Sequence, residues 1–155
     1  DFFAEQHAEK VVLIVKRDSN LKIESLEDFK KLDKPIGIFA GTFYGQEFAK
    51  KIKNDTEFIA NIAVFNQLDT ILKALTNDRI SGFLFGEKSM QRLLRRGRNN
   101  QYFEIHPYVI YQDYVYFGLS KASVNAQLKE KLMNAYKELK ATDKLTKILA
   151  KYPDS

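Results

Sequence analysis

The stretch of this 155-residue chain with the most chemical content is Phe39-Ala40-Gly41-Thr42-Phe43-Tyr44-Gly45. An apolar strand, Ile36–Phe39, runs into it, and a helix read over Gln46–Lys53 leaves it. Gly41 permits a bend that side chains oppose. The free amides of Thr42, Phe43 and Tyr44 are then expected to point outward at the positive end of the helix dipole, a setting that suits a carboxylate or phosphate. Ligands of open α/β folds bind at this carboxyl edge of the sheet. A plain strand-to-helix turn that needs Gly for its shape fits the same residues. The segment lacks the Gly-Lys-Ser/Thr of a nucleotide-binding loop and the spacing of a dinucleotide fingerprint.

Two more strand-to-helix junctions carry polar groups. At Phe85-Gly86-Glu87, Glu87 could meet a cationic ligand group or simply compensate a helix N-terminus. At Asn66-Gln67, the side chains could donate to a ligand, or Asn66 could cap the following helix. Arg92, Arg95, Arg96 and Arg98, interleaved with Leu93 and Leu94, form a basic cluster that reads as the solvated side of an amphipathic helix. It lacks the aromatic platform of a nucleic-acid surface, so no nucleic-acid partner is expected. His7 and His106 stand far apart without metal-ligand spacing, and Ser81 and Ser89 have no His at triad spacing. No catalytic residue, metal or cofactor is assigned.

Several elements must position these junctions. Val11–Val15 is a β-branched run read as a strand buried on both faces. Ser25-Leu26-Glu27-Asp28 has the form of a capping box, opening a short helix over about Leu26–Leu32 with Leu26, Phe29 and Leu32 on one side. Pro35 ends it. Then come strand Ile36–Phe39, helix Gln46–Lys53, strand Phe58–Phe65, helix Asn66–Leu75, strand Ile80–Phe85 and helix Glu87–Arg96. That alternation predicts a parallel sheet with covering helices. After a break at Gly97-Arg98-Asn99-Asn100, Phe103–Tyr111 is extended and Tyr114–Leu119 is a second apolar strand. Helices over Val124–Lys140 and Lys144–Lys151 close the chain, with Ala141-Thr142-Asp143 between them.

Composition sets the class. Apolar residues make up 45% and 20 side chains are Phe or Tyr, so disorder is excluded. Zero cysteines remove disulfide, zinc-thiolate and Cys-nucleophile chemistry. The net charge of +5 is spread over 45 charged side chains (25 basic, 20 acidic), a mixed solvated surface. No apolar run reaches the roughly 18 residues that span a bilayer, so no membrane insertion is expected. No signal peptide is visible at Asp1-Phe2-Phe3. The absence of an initiator Met reads as a processed or trimmed product.

Taken in order, several of these segments resemble one family. Ser25–Phe29 followed by Pro35–Thr42 is similar to the start of the second lobe in amino-acid-type extracellular solute-binding proteins of ABC importers. Leu72–Phe83 resembles that family's next helix–strand step, and Leu145–Tyr152 its C-terminal close. The resemblance runs from Glu9 to Tyr152. It implies an α/β, periplasmic-binding-protein-like (type II) Venus-flytrap, with the second lobe complete and the first partial. Residues 1–16 would belong to lobe 1 with a hinge strand, residues 17–112 would form lobe 2, and residues 113–155 would return to lobe 1. The opening segment of lobe 1, with the family's aromatic cradle and carboxylate-gripping Arg, is absent here.

The resemblance also implies a role: periplasmic capture of a small carboxylate-bearing, amino-acid-like ligand, with an ABC permease or a membrane sensor as partner, for transport or signalling. The ligand would lie against Gly41, Thr42, Phe43, Tyr44, Asn66, Gln67, Gly86 and Glu87. Two positions depart from the pattern. Phe43 replaces the second Thr of the family's Gly-Thr-Thr, and the family's acid for a ligand ammonium falls at Gly86, leaving Glu87 one residue on. Alternatives implied by related scaffolds are a dehydratase-like enzyme, with Glu87 as its general acid, or the sensing domain of a transcription regulator.

Overall fold

A computed structural model describes residues 2–95 and 101–151 and, within these, the side chains other than those of residues 2–7 and 149. The predicted break at Gly97–Asn100, together with Arg96 and Tyr152, lies outside the described residues. The chain divides into two compact units. One is Glu9–Gln112; the other combines Asp1–Ala8 with Asp113–Ser155.

The long unit is the α/β body. Its strands are β1 (Phe2–Lys16), β2 (Ile36–Phe39), β3 (Ile62–Phe65), β4 (Gly82–Gly86) and β5 (Phe103–Gly118), in the sheet order β3-β2-β4-β1-β5. The outer ends of β1 and β5 belong to the other unit. β2 runs parallel to both neighbours, with Ile36 opposite Ile62 and Gly82. β1 runs antiparallel to β4, with Val11 opposite Gly86 and Leu13 opposite Leu84. The three strands of the predicted alternation, β2, β3 and β4, are thus parallel as expected, and the antiparallel β1 makes the whole sheet mixed.

Strand periodicity sorts the core into two layers. Leu13, Val15, Ile36 and Leu84 face one layer with Leu26, Phe29, Tyr44, Phe48 and Phe58. Val12, Ile14 and Phe83 face the other with Ile71, Leu75 and Met90. The run Val12–Val15 is buried on both sides, as read from its β-branched residues. On the first side lie a 3₁₀ helix (Leu26–Lys31) and helices α1 (Gln46–Asn54) and α2 (Thr56–Ala60); on the second lie α3 (Leu68–Thr76) and α4 (Glu87–Arg95).

Two expected elements change, whereas the short helix expected after Ser25 is present as a 3₁₀ helix, with Leu26, Phe29 and Leu32 recurring every third residue, its natural period. Asp28 reaches back as the box predicted, its carboxylate accepting from the Ser25 amide at 3.0 Å and the Glu24 amide at 3.1 Å. The strand expected over Phe58–Phe65 is helical in its first half. Asp55 caps α2 by accepting from the Phe58 amide at 3.0 Å, and Phe58 turns inward to stack on Phe29 with centroids 5.8 Å apart. The second change joins the two strands expected at 103–111 and 114–119 into β5.

The other unit holds α5 (Ala126–Ala141) and α6 (Lys144–Lys151) with the outer ends of β1 and β5. Asn125 caps α5 by accepting from the Leu128 amide at 2.9 Å, which starts the helix two residues later than Val124. Asp143 takes a left-handed φ of 53° at the break before α6.

Candidate functional site

The carboxyl ends of β2, β3 and β4 share one edge of the sheet, and the loops leaving them carry the predicted residues. From β2 the chain turns at once: the Thr42 amide donates back to the Phe39 carbonyl at 3.4 Å. Gly41 takes φ +73° and Gly45 takes φ +95°, both in the left-handed region where a Cβ is strained. Around Gly41 a side chain would meet nothing within 4 Å. Gly45 is crowded, since a Cβ there would fall 2.5 Å from the Tyr111 ring.

The expected trio of free amides at a helix end is corrected in two respects. Thr42 spends its N–H on the turn, while the N–H groups of Phe43 and Tyr44 have no acceptor among the described residues. Gly45 is the N-cap of α1, so the positive end of the dipole lies at Gln46–Phe48, where Glu47 already stands in the first turn. Residues 41–44 thus hold two amides, of Phe43 and Tyr44, without an acceptor among the described residues, ahead of the first turn of α1.

Side chains of the loop split by burial. Tyr44 is buried, and its phenol oxygen accepts from the Phe39 amide at 2.8 Å while its ring packs on Phe48 at 5.2 Å. Burial pushes its pKa above the usual 10.0, against the pull of the Phe39 amide and Thr42, so the phenol stays neutral. The Tyr44 ring therefore anchors the bend. Phe43 is 52% exposed and meets Tyr111 edge-on, with centroids 5.4 Å apart at 82°. Beneath the bend lies a concavity of about 440 Å³ lined by Ile38, Phe43, Tyr44, Phe48, Ile52 and Val64.

At the end of β3, Asn66 and Gln67 are both exposed. The cap of α3 is Gln67, without a side-chain bond, so the capping role expected of Asn66 is not taken up. The Phe65 carbonyl accepts from the Ala40 amide at 2.9 Å, which ties this junction to the bend. At the end of β4, Glu87 opens α4 and lies 3.8 Å from Lys10. Gly86 leaves room that another side chain takes: Glu9 Oε1 stands 3.0 Å from where a Cβ of residue 86 would be.

The remaining candidates separate from this edge. Arg92 and Arg95 lie on α4, whose Leu93 and Leu94 pack on the second core layer; Arg96 and Arg98 are outside the described residues. His106 ties β5 to the loop before the 3₁₀ helix. Its Nδ1 accepts from the Tyr108 amide at 3.1 Å, so its Nε2 donates to the Leu21 carbonyl at 3.0 Å. The side chain of His7 is not among those described. Ser81 donates its hydroxyl to the Lys34 carbonyl at 2.9 Å, at the opposite end of β4. Among the described residues no cluster of three His, Asp or Glu could hold a metal ion. None of their helices is long and apolar enough to cross a membrane. Sequence reasoning missed Tyr111 and Glu9. Nothing local in sequence brings Tyr111 to Gly45, whereas the two-residue period of Val11, Leu13 and Val15 extends to Glu9.

No protein-family model and no curated protein matches the sequence. Solved structures do match. A mutant of the arginine-binding protein ArgBP from T. maritima superposes with a TM-score of 0.70 at 16% identity, covering 100% of this chain and 62% of that one. An ancestral arginine-binding protein bound to glutamine gives 0.69 at 21% identity, covering 100% and 64%. The amino-acid ABC transporter substrate-binding protein AbpA from Streptococcus pneumoniae, bound to L-arginine, gives 0.66 at 18% identity, covering 97% and 60%. The chain thus has the type II periplasmic-binding-protein fold, and it spans about three fifths of the length of these proteins.

Proposed function

We propose that this chain is the greater part of an extracytoplasmic solute-binding protein that captures a small, carboxylate-bearing, amino-acid-like molecule and hands it to an ABC importer. The observation that carries this reading is the pair of unspent amides at Phe43 and Tyr44, beside the open space at Gly41. Oriented backbone N–H groups with no internal acceptor are a carboxylate's natural partners, and bonds to a charged acceptor are the stronger kind. Tyr44 and Gly45 fix the bend from below, so the amides are held ready rather than organised on binding.

The fold supports the class of ligand. The structures that this chain resembles include proteins bound to arginine and to glutamine, and one of them is an ABC transporter substrate-binding protein. Exposed Asn66 and Gln67 on the adjoining loop supply further polar contacts, and the half-exposed Phe43 ring supplies an apolar one. The activity is binding: Glu87, the acid that an enzyme reading would need, is paired with Lys10. Transfer to a permease is a property of the complete two-lobed protein, because a ligand shifts a population only through its different affinity for two states.

The reading is tested by following backbone amide chemical shifts while L-glutamate, L-glutamine and L-arginine are titrated into the 155-residue chain. Saturable shifts centred on Phe43 and Tyr44 with at least one of them are expected. Titrations that leave residues 41–45 unmoved for all three would overturn it.

A further inference from the structure

We propose that the outer edge of β3 is a docking site for an extended segment of a partner protein. That segment alternates apolar and acidic residues and adds to the five-stranded sheet beyond β3. The proposal holds whatever residues 41–45 bind.

The edge is open in backbone terms. β3 ends the strand order and has β2 as its neighbour. The Asn61 carbonyl accepts from the Ile36 amide at 2.8 Å, and the Phe65 carbonyl accepts from the Ala40 amide at 2.9 Å. Residues 61, 63 and 65 therefore turn their polar groups toward β2, and in a parallel ladder the residues between them face the other way. The N–H and C=O of Ile62 and Val64 are left on the outer side, where no strand lies among the described residues. Like groups recur there every second residue, about 6.6 Å apart. A repeat of that length matches another extended backbone, the partner in strand addition.

A helix flanks each face of the edge. On the first core layer, Val64 and α1 border the concavity of about 440 Å³ beneath the bend, where Val64 is 62% exposed. On the second, Ala63 and Phe65 border a concavity of about 480 Å³. Its outer wall is Thr70 and Lys73 of α3 with the C-cap Asn77, and Arg79 follows. A strand laid beside β3 sends alternate side chains into these two spaces.

Charge decides what the occupant carries. The first concavity is lined without a charged side chain. The second holds Lys73 and Arg79, both exposed and neither ion-paired among the described residues. Asp69, one turn before Lys73, makes no bridge with it, and Asp78 beside Arg79 is committed to Lys16 at 3.0 Å. Apolar side chains on one face of the incoming strand and carboxylates on the other complete both spaces. A second copy of this chain is a poor occupant. Pairing β3 with its duplicate about a two-fold axis sets like surface against like, bringing Lys73 and Arg79 toward their own counterparts.

The test adds acetyl-Glu-Leu-Glu-Leu-Glu-Leu-amide to the 155-residue chain and follows backbone amide shifts and hydrogen exchange. The controls are acetyl-Glu-Glu-Glu-Leu-Leu-Leu-amide, of equal composition, and acetyl-Lys-Leu-Lys-Leu-Lys-Leu-amide, of opposite charge. Saturable binding of the alternating acidic peptide is expected, with slowed exchange at the Ile62 and Val64 amides, and neither control should match it. Lys73→Glu and Arg79→Glu, each turning an attraction into a repulsion at an exposed site, should weaken binding by about three- to tenfold. Val64→Pro removes an outward N–H and spares the ladder to β2, so it should weaken binding by about tenfold or more. The two charge reversals serve as the readout where Val64→Pro does not fold. Binding of the block peptide as tight as that of the alternating one, or indifference to both charge reversals, would overturn the proposal. So would an alternating peptide that leaves residues 62–65 unmoved. Protection of Ile62 and Val64 that grows with the concentration of the chain alone would assign the edge to a second copy instead.

Discussion

The two units of this chain handle the same kind of side chain in opposite ways. In Glu9–Gln112, the large apolar residues are consumed: Phe29, Phe58, Phe83, Leu13 and Ile71 are all fully buried. In the other unit, no described residue is buried. Tyr114, Tyr116, Phe117, Leu128, Leu132 and Ile148 each expose more than a third of their surface. Helix formation explains why α5 and α6 exist, through a capping Asn125 and good helix formers, but in proteins most helical stability comes from packing an apolar face. The lesson is that the α/β unit carries both the stability and the candidate site. The described residues of the other unit form secondary structure without a buried side chain among them.

The sharpest way to break that comparison is to cut into the consumed core. Phe58 is fully buried, stacked on Phe29 and edge-on to Phe48 at 5.3 Å. Phe58→Ala is expected to cost about 3–5 kcal/mol, the range for a buried aromatic that leaves a cavity. Urea unfolding followed by far-ultraviolet circular dichroism measures it. A cost below about 1 kcal/mol, the centre of ordinary point substitutions, would mean that α2 is not the lid of a packed core.

Next in size is a change at the bend. Gly45→Ala puts a Cβ at φ +95° and 2.5 Å from the Tyr111 ring, so both backbone strain and overlap oppose it. A Gly replaced where its conformation is incompatible loses more than about 1 kcal/mol. The same variant should shift the amide resonances of Phe43 and Tyr44, because the bend can relieve the overlap only by moving. A Gly45→Ala chain with unchanged stability and unmoved amides at 43 and 44 would show that the bend is not held from below.

Much of this contrast was readable from residue order, and the parts that were not have identifiable reasons. Val11–Val15 announced a doubly buried strand because β-branched residues without a polar partner have no solvent face to offer. The Ser25–Asp28 box and the Gly41 bend were legible because each depends on two or three adjacent residues. Phe58–Phe65 was misread because an apolar run of that length does not tell a strand from a helix; Asp55 as a cap carried the answer. The site was half visible. The bend showed itself through Gly41, but that Thr42 spends its amide on a turn is set by how tightly the chain closes on Phe39. Tyr111 on Gly45 and Glu9 beside Gly86 are long-range neighbours, and single-chain patterns hold no distances.

Acid provides a milder probe of the α/β unit. The Lys31 ammonium, with the Glu24 amide and Ser25, holds Asp28 well below its ordinary 3.8. The Phe58 amide and Lys30 lower Asp55, and Lys30 and Lys51 lower Glu27 from 4.5. A carboxylate depressed in the folded state contributes stability that is complete above its unfolded value and lost as pH falls through the folded one. The urea midpoint should therefore hold steady above about pH 5 and drop as the pH is taken below 4.5 and then 3.8. Asp28→Asn should flatten part of that drop. A midpoint that rises on acidification would reverse the sign and sink the assignment.

The smallest effect is the one that tests the other side of the comparison. Leu132 lies on α5 with 37% of its surface exposed, and α5 buries none of its residues. Truncating it removes little that folding has taken from water, and Ala is the better helix former, so the two terms oppose each other. Leu132→Ala should change stability by no more than about 0.5 kcal/mol, as surface substitutions do, against several times that for Phe58→Ala. Hydrogen exchange on the same variant should leave the protection of β2 and β4 amides untouched, since sub-global openings follow local packing. A loss of about 2 kcal/mol or more, typical of a buried Leu cut to Ala, would show that Leu132 is packed in solution against something that closes its face. The two units would then differ in which chain completes their cores rather than in whether they have one.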